Sequence, residues 1–114
     1  MCGIVGIFNQ ENAQSKVQIA LAQLQNRGKD DSGIIEVENG FLGHNLHAIV
    51  GHVKQPLVGE GVLVANCEIY NWKELNRTYN FNAQNDAEFL LKFLDTFGYE
   101  KLGELQGVYA FAYH

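Results

Sequence analysis

The dipeptide Asn39-Gly40 is the feature that most constrains how this chain can fold. It lies between residues 34–38 and 41–43, two short runs with the composition of β-strands. Asn-Gly is the sequence most favoured in two-residue hairpin turns. We therefore predict a β-hairpin, and its strands must be antiparallel because so short a connection cannot join a parallel pair. Residues 46–50 are expected to extend or follow the second strand.

Three further runs have the length and composition of buried strands, at residues 3–8, 62–65 and 108–113. The stretch 51–61 holds the only proline and three glycines, and we expect it to be a loop. No internal repeat and no Ser/Gly-rich linker interrupts the chain. Residues 1–114 are therefore predicted to form a single domain.

Apolar residues recur at helical spacing in three stretches of the chain. The first runs from residue 15 to just before residue 26. A short second helix is predicted over 72–79, with Asn71 as its capping residue. The third begins after the capping residue Asn85 and ends at Gly98.

Composition and charge exclude several classes of protein. Eight Lys and Arg residues against 13 Asp and Glu residues give a net charge of −5, which argues against a nucleic-acid-binding role. No apolar run is long enough to span a bilayer, and the amino terminus lacks the order of a secretory signal, so we expect a cytoplasmic protein. Two cysteines are too few for a disulfide framework or a zinc site, so no metal is expected.

Cys2 is the residue most capable of acting as a catalytic group. If Met1 is removed, Cys2 carries the α-amino group, whose pKa is ordinarily near 8, within a few bonds of its sulfur. One residue then supplies both a base and a nucleophile, a recognised way of activating a side chain. The alternative is that Cys2 is a small apolar residue at the start of a strand, since free cysteines are commonly buried.

Six segments along the chain add a family resemblance to this argument. They are Met1-Cys2-Gly3-Ile4-Val5-Gly6-Ile7-Phe8, Arg27-Gly28-Lys29-Asp30-Asp31-Ser32-Gly33, Gln55-Pro56-Leu57, Asn66-Cys67-Glu68-Ile69-Tyr70-Asn71, Asn85-Asp86-Ala87-Glu88 and Gln106-Gly107-Val108-Tyr109-Ala110-Phe111-Ala112. In this order and at these spacings they resemble the glutaminase domain of asparagine synthetases, a class II glutamine amidotransferase. The resemblance covers the whole chain.

The resemblance implies an α+β fold of the N-terminal nucleophile hydrolase type, in which two antiparallel sheets lie between helical layers. The chain would be partial relative to the usual family domain. In that family the terminal cysteine, here Cys2, attacks the side-chain amide of glutamine and forms a thioester. The oxyanion is held by an Asn side-chain amide and a Gly backbone N–H, which correspond to Asn66 and to the backbone of Cys67.

The resemblance also implies a set of substrate-binding residues. The family's carboxylate for the glutamine ammonium matches Asp86, and Glu68 matches another binding residue. Backbone groups of Ile49 and Val50 match positions around the bound glutamine. Read without the resemblance, Asp86 would only stabilise a helix dipole, and Glu68 would be a solvated residue after a strand. Asn66 would be a residue that ends a strand and turns the chain.

Two departures from the family pattern bear on activity. Leu46 stands where the family has the Arg that grips the glutamine α-carboxylate. The adjacent His47 could replace that Arg only if the strand slipped by one residue, which would turn its side chains to the opposite face. Cys67 replaces a Gly, so it adds a side chain near Cys2, and a disulfide between the two would block the nucleophile. If that Gly serves a positive φ, Cys67 would be strained; if it serves only space, Cys67 narrows the pocket.

The leading interpretation is a glutaminase domain that supplies ammonia for ATP-dependent asparagine synthesis from aspartate in a synthetase partner domain. Glutamine is the expected ligand, and no cofactor is expected here because ATP and magnesium would belong to the partner domain. The alternative is a catalytically weakened module kept for binding or for docking on the synthetase. No nucleic-acid or membrane partner is expected. Because an incomplete sandwich exposes an apolar face or edge, we expect a chain of this length to dimerise, exchange strands or aggregate.

Overall fold

The computed structural model describes residues 1–49 and 52–114 and contains two antiparallel sheets of three strands each. The strands are β1 (Gly3–Phe8), β2 (Asp31–Val37), β3 (Gly40–Leu46), β4 (Leu57–Val58), β5 (Val62–Ile69) and β6 (Gly107–Tyr113). The first sheet has the order β1-β3-β2, and the second has the order β4-β5-β6. The central strand of each sheet, β3 in the first and β5 in the second, is therefore hydrogen-bonded to both of the other strands.

Among the residues that the structure describes, three α-helices cover the outer faces of the two sheets, namely α1 (Ala13–Gln23), α2 (Trp72–Tyr79) and α3 (Asp86–Phe97). Helix α1 packs on β1 and β3 through the buried residues Val17 and Leu21. The two sheets lie against each other, since β1 and β3 both contact β5. Helix α3 packs on the outer side of β5, and α2 lies against α3. The predicted α+β sandwich of antiparallel sheets between helices is thus confirmed.

Aromatic residues hold α3 against the second sheet. Phe89, Phe93 and Phe97 follow one another at four-residue spacing, which places them on one face of the helix. Their rings lie 5.5 and 5.2 Å apart in sequence order, and Tyr79 at the end of α2 packs on the last ring at 4.8 Å. Such ring pairs add to the apolar area that is buried. The packing fixes α3, and with it the acidic residue at its start, beside β5.

The predicted hairpin is present, but its turn is displaced by one residue. The turn residues are Glu38 and Asn39 rather than Asn39 and Gly40, because Gly40 already pairs with Val37 as the first residue of β3. Asn39 adopts the left-handed conformation with φ of 64°. A Cβ on Gly40 would lie 2.3 Å from the carbonyl oxygen of Ile7, so the close approach of β1 explains the glycine.

Strand β5 is longer than the apolar run that predicted it. It continues through Asn66 and Glu68 to Ile69, so the expectations that Asn66 ends a strand and that Glu68 follows one are wrong. The physical reason is pairing with β6, which continues from Leu63 opposite Tyr113 to Ile69 opposite Gly107. Also, the stretch expected to be a loop contains the short strand β4. Over the two described ranges, no helix has the length and apolarity that a membrane crossing requires.

Candidate active site

Most of the predicted site residues line a single cavity of about 310 Å³ at one end of the sandwich. These residues are Cys2, Leu46, Ile49, Asn66, Cys67, Glu68 and Asp86. They come from the start of β1, the end of β3, the middle of β5 and the start of α3. Val50 lies outside the described residues. The fold thus brings together side chains that are up to 84 positions apart in the sequence.

Three hydrogen bonds hold Cys2 at the cavity. The backbone N–H of Cys2 donates to Oδ1 of Asn66 at 3.2 Å. The backbone N–H of His47 donates to Sγ of Cys2 at 3.5 Å, and Nε of Arg27 donates to the Cys2 carbonyl oxygen at 3.1 Å. The first bond also orients the Asn66 amide: because Oδ1 faces the Cys2 nitrogen, Nδ2 is the group left to donate elsewhere.

The pairing of β5 determines which of its backbone N–H groups face the cavity. Val62 and His114 exchange both of their backbone hydrogen bonds. Since such pairs alternate along antiparallel strands, the even-numbered residues of β5 bond to β6 and the odd-numbered ones point to the opposite edge. The N–H of Ala65 and that of Ile69 are bonded there to Gln55 and Asp86. The N–H of Cys67 lies between them, and among the described residues no acceptor is bonded to it.

Asn66 Nδ2 and the Cys67 N–H are therefore two donors on residues that line the same cavity as Cys2. Donors of this kind can stabilise an oxyanion that forms next to a nucleophile. The arrangement has the composition that the family resemblance implied for these two residues. It depends on Asn66 lying within a strand, because only the strand pairing directs the Cys67 N–H away from β6.

Gln55 and His44 hold the residue that precedes Asn66. Gln55 is buried, and its Oε1 accepts from the N–H of Ala65 at 2.7 Å while its Nε2 donates to the Ala65 carbonyl at 3.2 Å. Nε2 of His44 lies 3.1 Å from the same carbonyl. Burial lowers the pKa of His44, so its ring is neutral and Nε2 carries the proton for this bond. We name these two side chains the Ala65 clamp.

The Cys67 side chain is accommodated without backbone strain. Cys67 lies in extended β5 opposite Tyr109, and it is not among the residues with positive φ. Two consequences were expected from a cysteine in place of glycine, a strained backbone or a narrower pocket. The narrower pocket therefore applies, and the backbone strain does not. Burial raises the pKa of the Cys67 thiol to about 12, with a further contribution from the nearby Asp86 carboxylate. Both cysteines are free thiols.

The raised pKa of the Cys67 thiol predicts that an alkylating reagent distinguishes the two cysteines. Between pH 7 and 8 iodoacetamide is expected to label Cys2 and to leave Cys67 unmodified, because a thiol with a pKa near 12 holds almost no thiolate there. Peptide mass analysis of the labelled protein measures the outcome, with labelling in denaturant as the control in which both react. Equal labelling of the two cysteines in the folded protein would contradict the burial of Cys67.

Asp86 occupies the first turn of α3 and faces the cavity. Its Oδ2 accepts from the N–H of Ile69 at 3.1 Å, which ties the start of α3 to the end of β5. The helix is capped by Asn85, whose side chain accepts from the N–H of Glu88 as predicted. Glu68 also lines the cavity and is exposed. Within the described ranges, no three His, Cys, Asp or Glu side chains are grouped so as to hold a metal ion.

The register of β3 shows whether His47 could take the position of Leu46 through a slip of one residue. The strand pairs without interruption from Gly40 to Leu46, so no slip of one residue occurs. Leu46 is 6% exposed and lines the cavity. His47 lies just beyond the strand, where its side chain is half exposed and its Nδ1 is 3.8 Å from Oδ2 of Asp30. His47 therefore borders the cavity without taking the position of Leu46.

The contacts of Arg27 and Gln55 are not evident from the sequence, although both residues lie within the segments that carry the family resemblance. Arg27 contacts the backbone of Cys2, and Gln55 contacts the backbone beside Asn66. A signal for Gln55 lies in Gly33, where a Cβ would be 2.4 Å from the Gln55 carbonyl oxygen. A glycine in β2 thus lets the segment that carries Gln55 approach the sheet.

Comparison with known proteins agrees with this geometry. The family of glutamine amidotransferase domains matches residues 1–114. Asparagine synthetase B [glutamine-hydrolyzing] of Escherichia coli (strain K12) is 34% identical, over 98% of this chain and 23% of that protein. A putative asparagine synthetase [glutamine-hydrolyzing] 1 of Methanocaldococcus jannaschii is 35% identical, over 98% of this chain and 26% of that protein.

A plant relative gives the same picture. Asparagine synthetase [glutamine-hydrolyzing] 3 of Arabidopsis thaliana is 32% identical, over 97% of this chain and 21% of that protein. The chain thus spans about a fifth to a quarter of the length of these relatives. Because the family match covers every residue, the chain belongs to the glutamine amidotransferase domain family.

Proposed function

We propose that this chain is a glutaminase domain that hydrolyses the side-chain carboxamide of glutamine through Cys2. The observation that carries the proposal is the 3.2 Å hydrogen bond from the Cys2 nitrogen to Oδ1 of Asn66, at a cavity that the Cys2 side chain also lines. This contact joins the prospective base and nucleophile to a prospective oxyanion donor. It is formed across 64 positions of sequence, so no local structural need accounts for it.

The reaction begins after Met1 is removed, because an amide nitrogen is not a base. The α-amine of Cys2 takes the thiol proton, and Sγ forms a bond to the carboxamide carbon. The oxyanion then receives hydrogen bonds from Asn66 Nδ2 and the Cys67 N–H. As the carbon–nitrogen bond breaks, the leaving nitrogen takes the proton from the Cys2 ammonium and departs as ammonia. Water hydrolyses the thioester and releases glutamate, which restores Cys2.

The remaining predicted residues bind the substrate in this proposal. Asp86 and Glu68 supply carboxylates for the ammonium group of the amino acid. Leu46 supplies apolar surface along its side chain, and Ile49, which also lines the cavity, keeps its proposed backbone role. Val50 keeps its proposed backbone role from the family resemblance alone.

We further propose that residues 1–114 form one domain of a larger synthetase, with which it acts. The relatives named above are described as glutamine-hydrolyzing asparagine synthetases, and this chain matches only a fraction of each. The ammonia would then be consumed in an ATP-dependent synthesis of asparagine from aspartate. That step, with its ATP and magnesium, is assigned to the partner domain.

A second candidate function is a weakened module that retains the fold for docking on a synthetase. Two observations favour it. Leu46 puts an apolar side chain at the cavity where the family has an arginine, and Cys67 adds a side chain to the cavity that Cys2 also lines.

Ammonia release distinguishes the two candidates. Protein that begins at Cys2 is expected to release ammonia from glutamine, whereas protein that retains Met1 and the Cys2→Ala variant are expected to release none. Intact mass establishes in each sample whether Met1 is present. If the protein beginning at Cys2 releases no ammonia from glutamine or from any related carboxamide, the docking module is the better explanation.

A further inference from the structure

The charges around the cavity are unbalanced. Two carboxylates, of Glu68 and Asp86, line it, and no Lys or Arg side chain does so among the described residues. The two residues outside the described ranges, 50 and 51, are Val and Gly, and neither has a charged side chain. His47 is the basic side chain at the cavity, and its Nδ1 lies 3.8 Å from Asp30. Arg27 is close by, since its Nε donates to the Cys2 carbonyl oxygen, but its side chain is not among those that line the cavity.

The helix end at the cavity does not restore the balance. The start of α3 presents a partial positive charge, yet Asp86 and Glu88 both lie in its first turn. The N–H of Glu88 is already bonded to the Asn85 side chain, and that of Phe89 to the Asn85 carbonyl. An anion placed in the cavity at this end of the helix would therefore meet the Asp86 carboxylate.

Leu46 shapes the same region. It is 6% exposed and contributes apolar surface to the cavity. A carboxylate placed against that surface would lose hydration without gaining a charged partner. An ammonium group, in contrast, would find the two carboxylates.

We propose that the preferred substrate is a cationic amino-carboxamide, that is, a glutamine-like molecule with a free ammonium group but no free α-carboxylate. This inference rests on the proposed function, because it uses the same Cys2 reaction. Sγ of Cys2 bonds to the carboxamide carbon, the carbon–nitrogen bond breaks, ammonia leaves, and water releases the acid. Leu46 is the residue that determines the specificity.

Four small carboxamides test the proposal, with ammonia release as the common measurement. Glutamine carries both charged groups, and glutaminamide has its α-carboxylate converted to a neutral amide. 4-Aminobutanamide lacks the carboxylate, and 4-carbamoylbutanoate lacks the ammonium. For protein that begins at Cys2, kcat/KM for glutaminamide is expected to exceed that for glutamine by about 10- to 100-fold, the effect of one charged group without a partner. 4-Carbamoylbutanoate is expected to be the poorest substrate. Glutaminamide has a second carboxamide, so product analysis must show that the side-chain amide is the one cleaved.

A substitution at the cavity gives a second test. Leu46→Arg is expected to reverse the preference towards glutamine, because the guanidinium offers the α-carboxylate a partner. Leu46→Met is the matched control, since it keeps an apolar side chain of similar size and is expected to retain the preference for glutaminamide. The comparison among substrates on the unmodified protein stands even if Leu46→Arg fails to fold.

The outcomes separate this inference from the proposed function. Faster hydrolysis of glutaminamide and 4-aminobutanamide than of glutamine supports it. Faster hydrolysis of glutamine overturns it and leaves the proposed function intact. Release of ammonia from none of the four carboxamides overturns both.

Discussion

Asn66→Ala is expected to lower kcat for carboxamide hydrolysis by about 10²- to 10³-fold, the usual cost of removing one oxyanion donor. The side chain has two functions in the proposed reaction. Its Oδ1 accepts from the Cys2 nitrogen at 3.2 Å, and its Nδ2 is the proposed donor to the oxyanion. Steady-state kinetics with the best carboxamide substrate measure the effect. KM is expected to change much less than kcat, because the oxyanion exists only after the attack.

Two further variants separate these functions and control for folding. Asn66→Asp keeps an acceptor for Cys2 but removes the donor, so a loss as large as that of Asn66→Ala assigns the effect to Nδ2. Asn76→Ala is the matched control, because the Asn76 side chain also accepts from a backbone N–H, that of Ala83, and in addition donates to the Ala83 C=O, but does not line the cavity. It is expected to lower stability while leaving kcat unchanged. A kcat for Asn66→Ala within threefold of the unmodified value would contradict the oxyanion assignment.

The local elements of the fold could be predicted because their signals lie within a few residues. The capping of α3 by Asn85 and the hairpin around Asn39 depend on neighbouring residues, and both are found. The full extent of β5 could not be predicted. Residues 66–69 do not continue the apolar run, and only pairing with β6, about 40 positions later in the chain, makes them a strand.

The candidate site was predictable in its membership but not in its geometry. The family resemblance pointed to Cys2, Asn66 and Asp86, which are far apart in sequence, and the structure brings all three to one cavity. The resemblance did not indicate that the backbone N–H groups of β5 point alternately to its two edges, or that the N–H of Cys67 would point away from β6. That direction depends on which residues of β5 form the hydrogen-bonded pairs, and a sequence pattern does not contain this information.

The position of both proposed oxyanion donors depends on how β5 is held. A substitution in the Ala65 clamp, which bonds the β5 backbone, is therefore the second change for which we expect a large effect on stability and on kcat. Gln55→Met removes both hydrogen bonds to Ala65 while keeping a side chain of similar length. The Ala65 N–H is then left buried without its acceptor, so the free energy of unfolding is expected to fall by about 1–3 kcal/mol. The Ala65 carbonyl retains its bond from His44, which limits the loss. Denaturant titration measures this change.

A merely structural role for Gln55 would end with that loss of stability, whereas a clamp that positions the proposed oxyanion donors would also affect catalysis. Ala65 precedes Asn66, so greater freedom at Ala65 loosens both oxyanion donors, at Asn66 and at Cys67. At a temperature where the variant is fully folded, kcat is therefore expected to fall while KM for the carboxamide stays nearly constant. Gln18→Ala, on the exposed face of α1, is the control and is expected to change neither quantity. If Gln55→Met lowers stability but leaves kcat intact, β6 alone is sufficient to hold the donors, and the clamp serves only the sheet.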